Sequence, residues 1–324
     1  MVNHKAVAKF GLLLTAIATQ WSVQADEKLQ TLLANLQPSL FAPNTVSTNQ
    51  FEYGASLSPD GKKFAFVRAL ARFEHSAIVI SNKVGDTWQT PTLLPFSGEF
   101  HDTNPYFAKD SNTFYFTSRR PTEGAGKGGS KMWQVSFDGE RFGEPKLVPG
   151  KINGDHSVIY PTVHSNKDIY FSSVIEGAKG GMDLFVSKYH QDGYGAPMEI
   201  TELNTSTNDA DPELSTDGKL LFYTSMRPSG LGHYDLHVSV KQKDGKWGEP
   251  INLGNKINSR AMDSDPILSA DGNTLFFSSD KNPEVKAVKD YQALLQRQKS
   301  IYNGLMNIYS VDITELNKYL RSKI

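Results

Sequence analysis

Carboxylates recur at a regular interval along this 324-residue chain. Glu52, Asp102, Asp209 and Asp263 fall at one repeat position, with Val158 filling the same slot between them, and two residues further on stand Gly54, Asn104, Tyr160, Asp211 and Asp265. Positions two apart on a strand share a face, so the two sets read as an outer and an inner ring around a common axis. Three chemistries are open to such rings. A carboxylate beside a turn can accept neighbouring backbone amides. Hard oxygen donors suit Ca²⁺, and Asp209, Asp211, Asp263 and Asp265 would offer four carboxylates to it. Paired carboxylates can also serve as acid and base on a glycosidic bond, which makes Asp102, Asp209 and Asp263 the catalytic candidates.

Other polar groups converge on the same end of the repeat. Ser118-Arg119-Arg120-Pro121 and Met226-Arg227-Pro228 bring Arg119 and Arg227 to it, with His233 close by. An arginine there can fork onto a ligand carboxylate or pair across repeats with the acidic ring. The candidate ligand-binding set is therefore Glu52, Asp102, Asn104, Tyr160, Asp209, Asp211, Asp263, Asp265, Arg119, Arg227 and His233. His101, His156 and His233 fall on loops of different repeats; three imidazoles can hold a transition metal, but no short His-x-x-x-His spacing joins them, and solvated loop histidines are the simpler reading. Asp183 and Asp235 read as acceptors for the loop amides before them. The chain has no G-x-S-x-G elbow, P-loop or dinucleotide fingerprint.

The elements that position these groups come from a repeat. The turns Asp60-Gly61, Asp110-Ser111, Asn166-Lys167, Asp217-Gly218 and Asp271-Gly272 follow one another at roughly 50 to 56 residues, close to the length of a propeller blade. Each turn leads into an apolar strand, such as Phe64-Ala65-Phe66-Val67 or Leu275-Phe276-Phe277-Ser278. A second turn recurs later in most units, at Gly85-Asp86, Asp138-Gly139, Asp192-Gly193 and Asp244-Gly245. Each unit thus reads as four strands, A to D, with tight A–B and C–D turns. Such a sheet buries both faces only by stacking radially on its neighbours. Strands A to C occur five times, whereas strand D is missing from the last unit. Ser39-Leu40-Phe41-Ala42-Pro43 is the candidate to supply it and close the ring. The fold expected is an all-β single propeller of five four-stranded blades, with six as the alternative. The blades start near residues 52, 102, 158, 209 and 263. Residues 26–37 form a lead-in, 38–313 the propeller and 314–324 a tail. An insertion at 281–303 carries Val285, Val288, Tyr291 and Leu295 at helical spacing, which suits a cover over the blade rim or a lid or docking element.

The segments Ser58-Pro59-Asp60-Gly61-Lys62-Lys63-Phe64 and Asp265-Pro266-Ile267-Leu268-Ser269-Ala270-Asp271-Gly272 resemble the WD40-like repeats of TolB-type propellers, over about residues 38–313. The resemblance implies the fold; propellers of this kind serve as binding domains, assembly parts and enzymes. TolB itself carries an N-terminal α/β domain, for which residues 26–37 leave no room, so its role does not transfer. Five-bladed glycosidases of the arabinanase type place carboxylates at the channel, an analogy that no motif of this chain matches residue by residue.

The N-terminus gives the compartment. Lys5 and Lys9 precede an apolar run from Phe10 to Ile17 and a small-x-small site at Val23-Gln24-Ala25, the order of a secretory signal peptide over 1–25. The run is about half the ~20 residues that span a bilayer, and no later segment is apolar enough. The chain holds no cysteine, which excludes a lipid-anchored cysteine and any disulfide, so packing alone must hold the fold. Its formal net charge is −1, and no basic patch suggests nucleic acid. The expected protein is periplasmic or secreted. It binds a protein, peptide or glycan through its loop face, with Ca²⁺ as the one cofactor suggested and a glycosidase-type hydrolase as the alternative.

Overall fold

The computed structural model describes residues 27–70, 73–109, 112–122, 129–282 and 287–324. The signal-peptide reading of 1–25, the Asp110-Ser111 turn and Val285 lie outside the described residues.

The A–B turns show how the sequence starts each blade. Ser58 Oγ donates to Asp60 Oδ1 at 2.6 Å, and the same carboxylate oxygen accepts Lys62 N at 3.0 Å. The pairs Ser215–Asp217 and Ser269–Asp271 repeat the arrangement. The next residue must take a left-handed conformation, with φ of +69° at Gly61, +70° at Gly218 and +72° at Gly272, where glycine has no Cβ to clash. In the third blade Lys167 takes that position at φ +70°, and Asn166 Oδ1 accepts the Asp168 amide in place of an aspartate.

Each turn pairs the first two strands of its blade, and five such antiparallel blades make up the ring. The innermost strands are Phe51–Leu57, Asp102–Phe107, Ile159–Val163, Asp209–Leu214 and Asp263–Leu268. The first blade continues with Lys63–Ala69, Ser76–Val84 and Thr92–Leu93, and Thr87–Trp88 pairs onto its third strand. The fifth adds Thr274–Ser279 and Asn307–Asp312 and takes its outer strand, Ser39–Leu40, from the other end of the chain. Ser39 pairs with Ser310 and Leu40 with Tyr309, and Phe41 N donates to Ile308 O at 2.8 Å. Ser47 tightens the join, its hydroxyl donating to Ile308 O at 2.7 Å and accepting Ile308 N at 3.2 Å. The N-terminal strand closes the ring at five blades, so the six-blade alternative falls.

The core is divided into wedges between blades, as radial stacking requires. Ile78, Ile80 and Leu94 of the first blade meet Phe107, Phe114 and Phe116 of the second. Phe276 and Ile308 of the fifth meet Phe64 and Phe66 of the first, with Phe41 set edge-on to Phe276 at 5.0 Å between ring centres. The largest wedge lies between the fourth and fifth blades and takes in two helices. Helix α1 (27–34) leads into it with Leu33, and Leu36 follows just beyond the helix. The C-terminal residues, expected as a tail, form a helix over Thr314–Arg321 that buries Leu316, Asn317, Tyr319 and Leu320. The helix of the insertion, Tyr291–Lys299, buries none of its residues; Asp290 caps it by accepting Ala293 N.

Candidate functional site

The two acidic rings separate in space because each innermost strand carries a bulge between them. Ladder pairing slips between Tyr53 and Ser56, Thr103 and Tyr106, Ile159 and Thr162, Ala210 and Glu213, and Ser264 and Ile267. Within every slip the inner-ring residue has positive φ: Gly54 +54°, Asn104 +51°, Tyr160 +51°, Asp211 +54° and Asp265 +52°. Glycine, asparagine and aspartate tolerate this conformation, whereas a bulky tyrosine does not do so readily. A bulge re-aims the side chains on its two sides, so the expectation that residues two apart share a face fails at this point of every blade.

The outer-ring acids turn into their own blades. Glu52, Asp102, Asp209 and Asp263 are all fully buried. Asp209 accepts Thr205 N at 2.6 Å, Thr205 Oγ1 at 2.7 Å, Ser225 Oγ at 2.6 Å and Arg227 Nη2 at 3.4 Å. Asp263 accepts Ser259 N, Ser259 Oγ and Ser279 Oγ in the same way, with Lys281 as its neighbouring cation. Glu52 takes Thr48 N and Arg68, and Asp102 takes Ser97 Oγ and Arg120. Burial pushes the Glu52 and Asp263 carboxyls up despite these bonds. Each acid therefore fastens the loop entering its blade to the end of strand B or the loop just beyond it. The ion pairs of the outer ring lie within blades, not between them as expected, and the second blade uses Arg120 rather than Arg119. Arg227 is thus committed to Asp209, and His233 is exposed. In the third blade, where Val158 brings no acid, Ser173 Oγ donates to Ser157 O instead. Asp183 accepts Gly180 N, and Asp235 accepts Leu231 N and Gly232 N, the preceding loop amides.

The inner ring faces the axis and links blade to blade. Asp211 N donates to Ser172 Oγ of the third blade. Asp211 Oδ2 accepts Asp265 N at 3.3 Å and Thr224 Oγ1 at 2.8 Å, and Asp265 Oδ2 accepts Gly54 N at 3.2 Å. Burial, then the Asp265 charge beside it, pushes the Asp211 carboxyl well up; burial raises Asp265 as well. Below this ring the channel narrows to a cavity of about 20 Å³ between the prolines that follow four of its members, room for one water-sized molecule. Deeper still, Glu213 joins the blades around it, accepting Lys109 Nζ, Thr162 Oγ1 and Leu268 N. Among the described residues no three His, Asp or Glu side chains are placed to hold a metal ion, and the four aspartates suggested for Ca²⁺ are split by the bulges into two environments.

Above the inner ring the channel opens on the loop face as a cavity of about 340 Å³. Asn104, Tyr160 and Asp211 form part of its lining, and Arg119 and His101 stand in its wall. Of the expected binding residues these are Asn104, Tyr160, Asp211 and Arg119; Glu52, Asp102, Asp209, Asp263, Asp265, Arg227 and His233 are not among its lining. Sequence reasoning missed its apolar part: Phe73, whose ring packs edge-on to Tyr53 at 5.2 Å, with Tyr234, Met182 and Met262. A signal existed, since His101 and Met262 immediately precede outer-ring acids and Met182 and Tyr234 immediately precede the aspartates that open strand C. His156 is occupied elsewhere, Nε2 lying 2.9 Å from Ile152 O.

Neither a family model nor a curated protein matches the sequence. Solved structures match its fold. An α-L-arabinofuranosidase from Lactobacillus brevis is similar at 10% identity and TM-score 0.51, over 83% of this chain and 92% of that one. The catalytic domain of a Coprinopsis cinerea GH62 α-L-arabinofuranosidase is similar at 13% identity and TM-score 0.50, over 86% and 96%. TolB from Acinetobacter baumannii is similar at 16% identity and TM-score 0.44, over 81% of this chain; the chain spans about half that protein's length, 54%.

Proposed function

We propose that this chain is an exported binding propeller that takes a small ligand, or the tip of a larger glycan or peptide, into the loop-face mouth of its channel. The observation that carries the reading is the mouth itself. A cavity of about 340 Å³ lined by aromatic and sulfur side chains, with a few convergent polar groups, has the composition and size of a small-molecule site. Tyr160 sits at its floor in a left-handed conformation, and backbone strain of this kind gathers at ligand sites. Export rests on the charged and apolar N-terminal pattern.

The glycosidase reading needs two carboxylates flanking a bond about 5–9.5 Å apart. Asp102, Asp209 and Asp263 are each saturated by their own loops, and Asp211 and Asp265 are linked through the Asp265 amide beside a space of about 20 Å³. That arrangement favours binding over hydrolysis.

The absence of native cysteine makes a clean test. Met182→Cys, coupled to a bulky maleimide, fills the mouth. Thermal unfolding is followed with oligosaccharides, peptides and Ca²⁺, with and without the block. A ligand at 100 times its Kd stabilises by about 2.7 kcal/mol, and the block should abolish that gain. A ligand whose gain survives the block binds elsewhere and refutes the reading.

A further inference from the structure

We propose that the ligand of the mouth carries a carboxylate, clamped at the rim by Arg119, with the rest of the ligand lying over Tyr160. The inference rests on the mouth reading above. Its first support is the distribution of charge. Arg68, Arg120 and Arg227 each hold an acid of their own blade, Glu52, Asp102 and Asp209. Arg119 is left over: its backbone N donates to His101 O at 3.1 Å, and its exposed guanidinium has no ion-pair or hydrogen-bond partner among the described residues while it stands in the cavity wall. The neighbouring Arg120 already satisfies Asp102, so among the described residues the Arg119 side chain has no framework role.

The second support is the donor character of the remaining polar groups. Asn104 Oδ1 accepts both Thr103 Oγ1 and Thr117 Oγ1, which leaves its amide NH₂ for a ligand. His101, whose buried Nδ1 has no hydrogen-bond partner among the described residues, also stands in the wall and brings no negative charge to it. The one carboxylate in the lining, Asp211, is buried and pushed toward its neutral form by burial and by Asp265, so it opposes an anion weakly. A planar guanidinium among donors, with one unopposed positive charge, matches a carboxylate held through a two-pronged contact. Two kinds of small molecule bring that group on a compact body, a sugar acid and an N-acylated amino acid, and the test separates them.

Isothermal titration of the full chain uses trigalacturonate against its methyl ester and hippurate against hippuramide. The expected result is binding of one acid at least 10-fold tighter than its neutral partner, with that preference lost in Arg119→Gln. The variant should unfold at the wild-type denaturant midpoint, because the Arg119 side chain holds no partner among the described residues. Acid and neutral forms binding equally, a preference that survives Arg119→Gln, or no binding by any of the four at about 10 mM each overturn the inference. Equal binding that the maleimide-blocked Met182→Cys protein loses overturns the carboxylate alone; binding that survives the block overturns the mouth reading with it.

Discussion

Asp209 decides between framework and chemistry for the outer ring, and replacing it gives opposite results under the two views. In the structure its carboxylate takes three hydrogen bonds of 2.6 to 2.7 Å, from Thr205 N, Thr205 Oγ1 and Ser225 Oγ, and faces Arg227 at 3.4 Å. Its side chain is fully buried and that of Arg227 is 17% exposed. Asp209→Ala strands the Thr205 amide, which cannot rotate to another acceptor, and leaves the guanidinium without its counter-charge. An unsatisfied buried donor costs about 1–3 kcal/mol, and removing one partner of a buried ion pair about 3–5 kcal/mol. The two losses share the same atoms and do not add, so the expected total is about 3–5 kcal/mol. Asp209→Asn keeps the shape and one acceptor oxygen and should cost about half as much. Guanidinium unfolding of both variants, followed by tryptophan fluorescence, measures the differences. If Asp209→Ala falls within about 0.5 kcal/mol of wild type, the range of an unremarkable surface change, the carboxylate is not a loop fastener and the catalytic reading of the outer ring regains its ground.

Two further outcomes follow from the way the ring is closed. Asp211 and Asp265 both have carboxyls raised in the folded state, chiefly by burial. The folded chain therefore holds protons that the unfolded chain releases, and their contribution is complete below the ordinary aspartate pKa near 4 and declines as pH rises through the folded values. Denaturant midpoints measured upward from pH 4 should show a falling component of at most about 1.4 kcal/mol per pH unit per group, reduced in an Asp211→Asn, Asp265→Asn double variant, where the raised Glu52 and Asp263 carboxyls leave a remainder; a slope unchanged in the double variant assigns the whole component to those other groups. Ser47→Ala removes a buried hydroxyl that serves both the N–H and the C=O of Ile308. It should destabilise by about 1–3 kcal/mol, and a neutral result in urea unfolding would mean that the terminal strand does not lock the ring.

The fold was legible because its signals are local and repeated. Ser-x-Asp-Gly turns such as Ser215 to Gly218 close hairpins through bonds within five residues, and the aromatic strand after each turn must be buried on both faces. The supply of the last strand from Ser39-Leu40 was readable from its absence elsewhere. The site was legible only in part. Counting by two placed Glu52 beside Gly54 and Asp209 beside Asp211 on one face, and the count fails because one residue of each strand turns left-handed. Asp211-Pro212 gave no warning of this, since the residue before a proline is ordinarily driven to extended conformations. Phe73, Met182 and Tyr234 come together at the mouth from three different blades, a proximity that only the closed ring creates.

The bulge also explains how one short strand meets two demands. Framework acids want burial and saturated hydrogen bonds, whereas a ligand group wants an unspent atom facing a cavity. Asp209 and Asp211 are two residues apart and meet these demands separately: Asp209 is used up by Thr205, Ser225 and Arg227, while Asp211 reaches the channel and holds the next blade through Asp265 N. Arg119 and Arg120 divide in the same way, one at the cavity and one on Asp102. The consequence is that the outer-ring acids fastening each loop are distinct from the residues facing the mouth. Substitutions at Arg119, Phe73 or Tyr234 can therefore alter what is bound while the acids that hold the blades keep every partner they have.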